Sequence, residues 1–300
     1  MCGIVGLFLK NPALRGELGR HISTMLVGMT DRGPDSAGIA VYHKPVAPGS
    51  SKFTLFHDDP GYHWRALAGL LSDALDVESD IEPRAAHAVL TAKAEEARVR
   101  AWLDANAQDV RVMGYGRLME VYKEKGLPKD VVRRYGIEGM EGTHAIGHTR
   151  MATESIVTTE HSHPFTAAPD MCLVHNGSLS NHNRLREWLK RRGQRFETDN
   201  DSEVAARYFA YRMGEGASLE EAMEAGLKDL DGFFTFTMGT RDGFAVLRDG
   251  IGCKPAVMAE TDDWVAMASE YRSLAALPGV EAAKVWEPAP SVVYTWKLDA

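Results

Sequence analysis

Apolar positions in this 300-residue chain fall into short, separated runs. The first covers residues 4–9, where a β-branched start and unbroken apolar character predict a buried strand. Between Arg15 and Met29, apolar residues recur at helical offsets: Leu18, Ile22, Met25, Leu26 and Met29. That spacing predicts a helix with one apolar face. Asp31-Arg32-Gly33-Pro34-Asp35-Ser36 is turn chemistry. A second buried strand is expected over 37–42, then a loop marked by Pro45, Pro48 and Gly49.

From about 51 to 141 the pattern becomes mixed and highly charged. It predicts strands near 53–56, 85–90 and 110–113, and helices near 62–75, 94–107 and 117–125. No chemical motif is visible in that segment. From 143 onward special residues become dense. Strands are expected at 145–148 and 171–175, the second ending at Asn176-Gly177, and helices at 183–192, 203–213 and 219–230. Strand-like runs at 233–238, 244–247, 256–259, 264–268 and 292–296 alternate with turns. There is no repeat at solenoid periods.

Composition narrows the class. The hydrophobic fraction of 44% and charged fraction of 25% are those of an ordinary globular protein. A formal net charge of −8 argues against a nucleic-acid partner. Three scattered cysteines (Cys2, Cys172 and Cys253) are unlike a disulfide framework and fit a reducing cytosol. Cys172 and Cys253 are expected to be buried and inert. No signal-peptide pattern is present, and no apolar run approaches the ~18 residues a membrane span needs. The expectation is a soluble cytoplasmic protein without a membrane partner.

Cys2 stands directly behind Met1, at the head of the first strand. With Met1 removed it would carry a nucleophilic thiol and an α-amine of pKa about 7.7–8.0, which can serve as a base. The bland alternative is a small buried core cysteine. Arg150 is a planar forked donor suited to a carboxylate, or else a structural ion-pair partner. Asn176-Gly177 offers an amide and a backbone N–H for a developing oxyanion, but is equally a common hairpin turn. Asp201 is either a helix N-cap or an acceptor for an ammonium group. His161-Ser162-His163-Pro164 adds imidazoles. His148, His161, His163 and His175 suggest zinc only weakly, because the cysteine spacing matches no zinc pattern. A thiol, a carboxylate clamp and an ammonium acceptor together imply an amino-acid substrate with a reactive side-chain carbonyl.

Several short motifs, in order, resemble the class II glutamine amidotransferases, a branch of the N-terminal nucleophile hydrolases. They are Met1-Cys2-Gly3-Ile4-Val5-Gly6, Asp31-Arg32-Gly33-Pro34-Asp35-Ser36-Ala37-Gly38-Ile39 and Gly147-His148-Thr149-Arg150-Met151-Ala152-Thr153. His163-Pro164, His175-Asn176-Gly177-Ser178-Leu179 and Asp201-Ser202-Glu203-Val204 follow, then Arg248-Asp249-Gly250, Lys254-Pro255 and Ala268-Ser269-Glu270. The resemblance covers about 1–43 and 145–285. It implies an α+β fold: a four-layer αββα sandwich spanning 1–300, interrupted by a mixed α/β insertion at about 44–144.

The resemblance also implies roles. Cys2 would be the nucleophile, forming a γ-glutamyl thioester, with Asn176 and Gly177 as the oxyanion hole. Arg150 would hold the glutamine α-carboxylate with Thr153 nearby, Asp201 the α-ammonium, and His163 would support the binding loop. Met151 stands where many members carry an aromatic residue, and Glu154-Ser155 replaces a frequent His-Gly. Familiar members continue into an ammonia-consuming domain; here the acceptor is expected as a separate synthase subunit in a hetero-oligomer. The nearest whole-chain likeness is to the detached amidotransferase subunit of glutamate synthase-like complexes such as N-methylglutamate synthase. There flavin and iron–sulfur centres would belong to partner subunits, with no cofactor or metal in this chain. The alternatives are a non-catalytic subunit that retains Met1, so that the nitrogen of Cys2 is an amide, and a relative acting on another amide.

Overall fold

The computed structural model describes residues 2–152 and 157–298. The chain opens with β1 (Gly3–Leu9), α1 (Leu18–Val27) and β2 (Ser36–Tyr42). It then passes through β3 (Ser51–Phe56), α2 (Trp64–Leu75), β4 (Ser79–Arg84), β5 (His87–Ala92), α3 (Glu96–Asn106) and β6 (Arg111–Gly116). Next come β7 (Met119–Lys125), α4 (Pro128–Tyr135), β8 (His144–Arg150), β9 (Phe165–Ala168) and β10 (Met171–Leu179). Three helices follow: α5 (His182–Lys190), α6 (Asp201–Gly214) and α7 (Leu219–Asp229). The chain closes with β11 (Gly232–Thr240), β12 (Gly243–Arg248), β13 (Val257–Glu260), β14 (Trp264–Ala268), β15 (Lys284–Trp286) and β16 (Val293–Lys297).

Alternation along β1 sets the layering, because successive side chains in a strand point to opposite faces. Val5, Leu7 and Leu9 pack with Leu18, Ile22, Met25 and Leu26 of α1 and with α4. Ile4 and Phe8, on the other face, pack with Cys172 and Val174 of β10 and Phe244 and Val246 of β12. β1 therefore lies between a helical layer and a second sheet, which is why all seven of its residues are buried. Its sheet has seven strands in the order β15-β13-β14-β1-β8-β2-β7, and the facing sheet has five, β16-β12-β11-β10-β9. The far side of the five-stranded sheet is covered by α5, α6 and α7 through Leu185, Val204, Phe209 and Met223. The result is the four-layer αββα sandwich of an α+β fold, as the motifs implied. Among the described residues no helix is long and apolar enough to cross a membrane.

A third sheet, β4-β5-β3-β6, carries α2 and α3 on its own apolar cluster around Phe53, Leu55, Leu71 and Leu90. It occupies residues 51–116, a narrower span than 44–144. The expected helix over 117–125 is instead the edge strand β7, hydrogen-bonded along β2. Its Glu and Lys residues favour helix locally, but tertiary contacts override that preference. Glu120 is buried against Lys52 at 3.0 Å and Tyr122 at 2.6 Å, and Lys123 is held by main-chain carbonyls. The lobe is tied down by Asp170, which is fully buried and accepts the N–H groups of Arg117, Leu118 and Met119 at 2.8–3.0 Å. Cys172 is buried, but Cys253 is exposed, contrary to expectation. The carboxylate of Asp249 accepts the N–H groups of Ile251 and Gly252, fixing a loop that holds Cys253 at the surface.

Candidate active site

Period-two alternation brings the site together from three strands. Cys2 continues the face of Ile4 and Phe8, which looks into the second sheet. Gly3 pairs with Thr149 of β8, so the next positions outward on the two strands are Cys2 and Arg150. Arg150 shares a face with Ile146 and His148, also directed between the sheets. On β10, Asn176 shares a face with Cys172 and Val174. Thiol, forked cation and amide are thereby projected into one layer, at the same end of the sandwich.

Asn176-Gly177 is not a hairpin turn. Both residues lie inside β10, where Asn176 pairs with Thr235 and Gly177 with Phe234. Asn176 is 4% exposed, and its Nδ2 has no hydrogen-bond partner among the described residues. A buried amide donor left unpaired inside the fold costs free energy, so it is suited to a ligand that accepts its hydrogen bond. Gly177 has φ +153°, and a Cβ there would lie 1.8 Å from the carbonyl oxygen of Phe233. Only glycine fits.

The start of β1 around Cys2 is held at two points. The Cys2 carbonyl accepts from Nε of Arg32 at 3.0 Å, and Arg32 is ion-paired with Glu270 at 2.8 Å. The N–H of Ile4 donates to Oγ of Ser269 at 3.0 Å. In the sequence Arg32 reads only as part of a turn and a motif. Its fixed charge between Asp31 and Gly33 was the available signal.

Arg150 ends β8 and is 9% exposed; its guanidinium donates to the carbonyl of His161 at 3.1 Å. Next to it, the N–H of Ala152 donates to Asp35 at 2.7 Å. Asp201 is not the helix N-cap: Asn200 is, its side chain accepting from the N–H of Ser202 at 2.8 Å. Asp201 is the first residue of α6, and its Oδ2 accepts from the N–H of Leu179 at 2.8 Å. The carboxylate therefore sits just beyond Asn176-Gly177. Thr153, Glu154 and Ser155 lie outside the described residues, as does Met1.

Beneath the site are three buried imidazoles. His148 and His163 stack with ring centroids 3.9 Å apart, and Nδ1 of His175 meets Oγ of Ser202 at 2.9 Å. Burial lowers the pKa of each, that of His148 to about 3, so all three are neutral at pH 7. Among the described residues no group of three or more His, Cys, Asp or Glu could hold a metal ion. His161 lies apart from this stack, beside Thr158 and Asp199.

The arrangement thus offers a thiol, a buried amide donor, a cation and a carboxylate, a set suited to acyl transfer on an amino-acid side chain. Comparison with known proteins bears on it directly. The glutamine amidotransferase domain family matches residues 148–276. The glutamine amidotransferase-like protein GlxB of Rhizobium meliloti is 54% identical over 297 residues, covering 99% of this chain and 98% of that protein. A Methanothermobacter thermautotrophicus protein, provisionally named a glutamine amidotransferase, is 34% identical over 320 residues. That match covers 99% of this chain and 100% of the relative. In the solved structure of B. subtilis glutamine phosphoribosylpyrophosphate amidotransferase with ADP and GMP, the same fold recurs, with TM-score 0.61 at 19% identity. There the match covers 99% of this chain and 49% of that one, so this chain spans about half the length of that enzyme. Matched along nearly its whole length by relatives of 54% and 34% identity and sharing the fold of the B. subtilis enzyme, this chain belongs to the glutamine amidotransferase family.

Proposed function

We propose that the chain hydrolyses glutamine to glutamate through Cys2 and passes the ammonia to a separate synthase subunit. The observation that carries this reading is the unpaired, buried amide of Asn176 in the same inter-sheet layer as Cys2. In the proposed reaction Met1 is removed and the freed α-amine takes the thiol proton. The thiolate attacks the side-chain carbonyl carbon of glutamine. Asn176 Nδ2 and the N–H of Gly177 stabilise the oxyanion, a device worth roughly 3–4 kcal/mol per donor. Collapse of the tetrahedral species breaks the C–N bond, the leaving nitrogen takes the proton from the α-ammonium, and a γ-glutamyl thioester remains. Water then cleaves the thioester, releasing glutamate and restoring the thiol. Arg150 holds the α-carboxylate and Asp201 the α-ammonium, with Thr153 and His163 completing the glutamine pocket.

The acceptor reading extends this to a hetero-oligomer of the glutamate synthase-like kind, N-methylglutamate synthase being the specific candidate. Flavin and iron–sulfur centres would belong to the partner subunits. Intact-mass measurement of protein from its native host tests for loss of Met1, and Cys2→Ala should abolish glutamine hydrolysis. Persistent hydrolysis in Cys2→Ala would overturn the reading, and retained Met1 without hydrolysis would favour a non-catalytic subunit. Co-purifying polypeptides carrying flavin or iron would support the acceptor assignment.

A further inference from the structure

Lys123 belongs to no motif. It lies on the edge strand β7, opposite Gly38 of β2, and is only 4% exposed. Its ammonium donates to three main-chain carbonyls of one segment: Ser162 at 2.8 Å, Glu160 at 3.1 Å and Pro164 at 3.3 Å. The Phe165 ring lies beside it, its centroid 5.0 Å from Nζ. Among the described residues Lys123 has no ion pair within 4 Å, although Glu160, Glu197 and Glu203 add favourable charge from farther away. A buried charge without a partner carboxylate is a costly way to stabilise a fold, and an apolar side chain of similar length would cost less. What the lysine supplies is geometry: three donors that gather three carbonyls of a segment with no regular structure.

That segment touches the site twice. The carbonyl of His161 accepts from the guanidinium of Arg150 at 3.1 Å, and the ring of His163 stacks on His148. Two further contacts hold the segment against β2. Oγ of Ser162 donates to Oγ of Ser36 at 2.9 Å, and the carbonyl of His163 lies where a Cβ on Gly38 would be, at 2.0 Å. Ser36 in turn pairs with Arg150. The chain of contact runs from the Lys123 ammonium, through the carbonyls of residues 160, 162 and 164, to the carbonyl that orients Arg150.

We propose that Lys123 is a positioning residue for the substrate-carboxylate clamp, acting on Arg150 through the 160–164 segment. The inference rests on the glutamine reading of the site. It assigns the strand that returns from the third sheet a direct part in substrate affinity. Because Arg150 would hold the α-carboxylate equally in ground and transition states, losing its orientation raises KM and leaves kcat nearly unchanged.

The test is steady-state glutamine hydrolysis by the full chain with Met1 removed, comparing wild type with Lys123→Met, Lys123→Arg and Ser162→Ala. Lys123→Met should raise KM about ten-fold or more with kcat within about three-fold. Lys123→Arg should recover part of the affinity, and Ser162→Ala should raise KM by a smaller factor. A folded Lys123→Met with wild-type KM, or with a fall in kcat alone, overturns the proposal. If Lys123→Met does not fold, an unchanged KM in Ser162→Ala overturns it. If wild type shows no turnover, the glutamine reading fails, and calorimetric binding of glutamate to the same variants decides: weaker binding in the variants supports the clamp, equal binding overturns it.

Discussion

Nε2 of His148 donates to the main-chain carbonyl of His175, 3.2 Å away across the interface between the two sheets. The bond joins the strand that ends at Arg150 to the strand that continues into Asn176. Burial lowers the pKa of His148 to about 3, so at neutral pH the contact is a plain hydrogen bond from an uncharged imidazole. It ties the strand face that continues to Cys2's neighbour Arg150 to the strand that carries Asn176.

The first prediction concerns that donor. Asn176→Ala should lower kcat for glutamine hydrolysis about 10²–10³-fold and change KM little, because the amide is used when charge develops on oxygen. Removing a side chain whose Nδ2 is already unpaired leaves no new orphan on its partner. Thermal stability should therefore stay close to wild type, and a variant with wild-type kcat would remove Asn176 from the oxyanion hole.

Arg150→Lys keeps the charge and loses the planar fork. Hydrogen bonds to charged groups are worth about 1.5–3 kcal/mol, so kcat/KM for glutamine should fall roughly 10–100-fold, mainly through KM. The comparison substrate is a glutamine derivative with its α-carboxylate amidated, on which wild type and variant should perform alike.

Acid should destabilise the protein well above the carboxylate range. His87, His144 and His148 each have a pKa lowered to about 3, chiefly by burial, against an unfolded value of 6.5. The unfolded chain therefore binds more protons than the native one below pH 6.5. The stability these neutral imidazoles contribute is fully present above that pH and is lost as pH falls toward 3. Between pH 7.5 and 5.5 the loss is about 1.4 kcal/mol for each, or about 4 kcal/mol together. Urea unfolding at the two pH values measures it, and a pH-independent midpoint would contradict it.

Asp170→Asn tests the anchor of the third sheet. The carboxylate receives N–H donors from three consecutive residues, 117 to 119, and an amide of the same shape replaces one acceptor oxygen with a donor. A loss of about 1.5–3 kcal/mol is expected, read as a lower unfolding midpoint, with glutamine KM unchanged. Among the described residues the side chain of Asp170 meets residues 117–119 and Arg241 rather than Arg150, Asn176 or Asp201, so a changed KM would mean that the lobe couples to the candidate site by another route.

Local signals were legible where one neighbouring element decides the outcome. The helical spacing of Leu18, Ile22, Met25 and Leu26 placed α1, and the apolar run after Cys2 placed β1, because each pattern records a face that must be buried. Strand β7 was misread as helix because the reasons for its extended form lie elsewhere in the chain: in β2, in Lys52 and in the carbonyls of residues 160–164. For the same cause, Asn176-Gly177 reads from the sequence as either turn or site. Only pairing with β11 shows that the dipeptide lies inside a strand. Cys253 sits in a glycine-containing run where burial is expected, and the hydrogen bonds of Asp249 instead fix a surface loop.

By itself the sequence offered the candidate nucleophile and the ordered set Arg150, Asn176-Gly177 and Asp201, since residue identity carries that information, while the αββα layering was implied only by the resemblance of its motifs to the class II glutamine amidotransferases. Tertiary structure alone decided that Cys2, Arg150 and Asn176 share one inter-sheet layer, that Asp201 stands beside Asn200 rather than capping its helix, and that Lys123 is spent on three carbonyls. Those outcomes depend on strand register and on contacts between residues tens to hundreds of positions apart. No local pattern encodes them, because a shift of one residue in any of these strands would turn the same side chains to the opposite face.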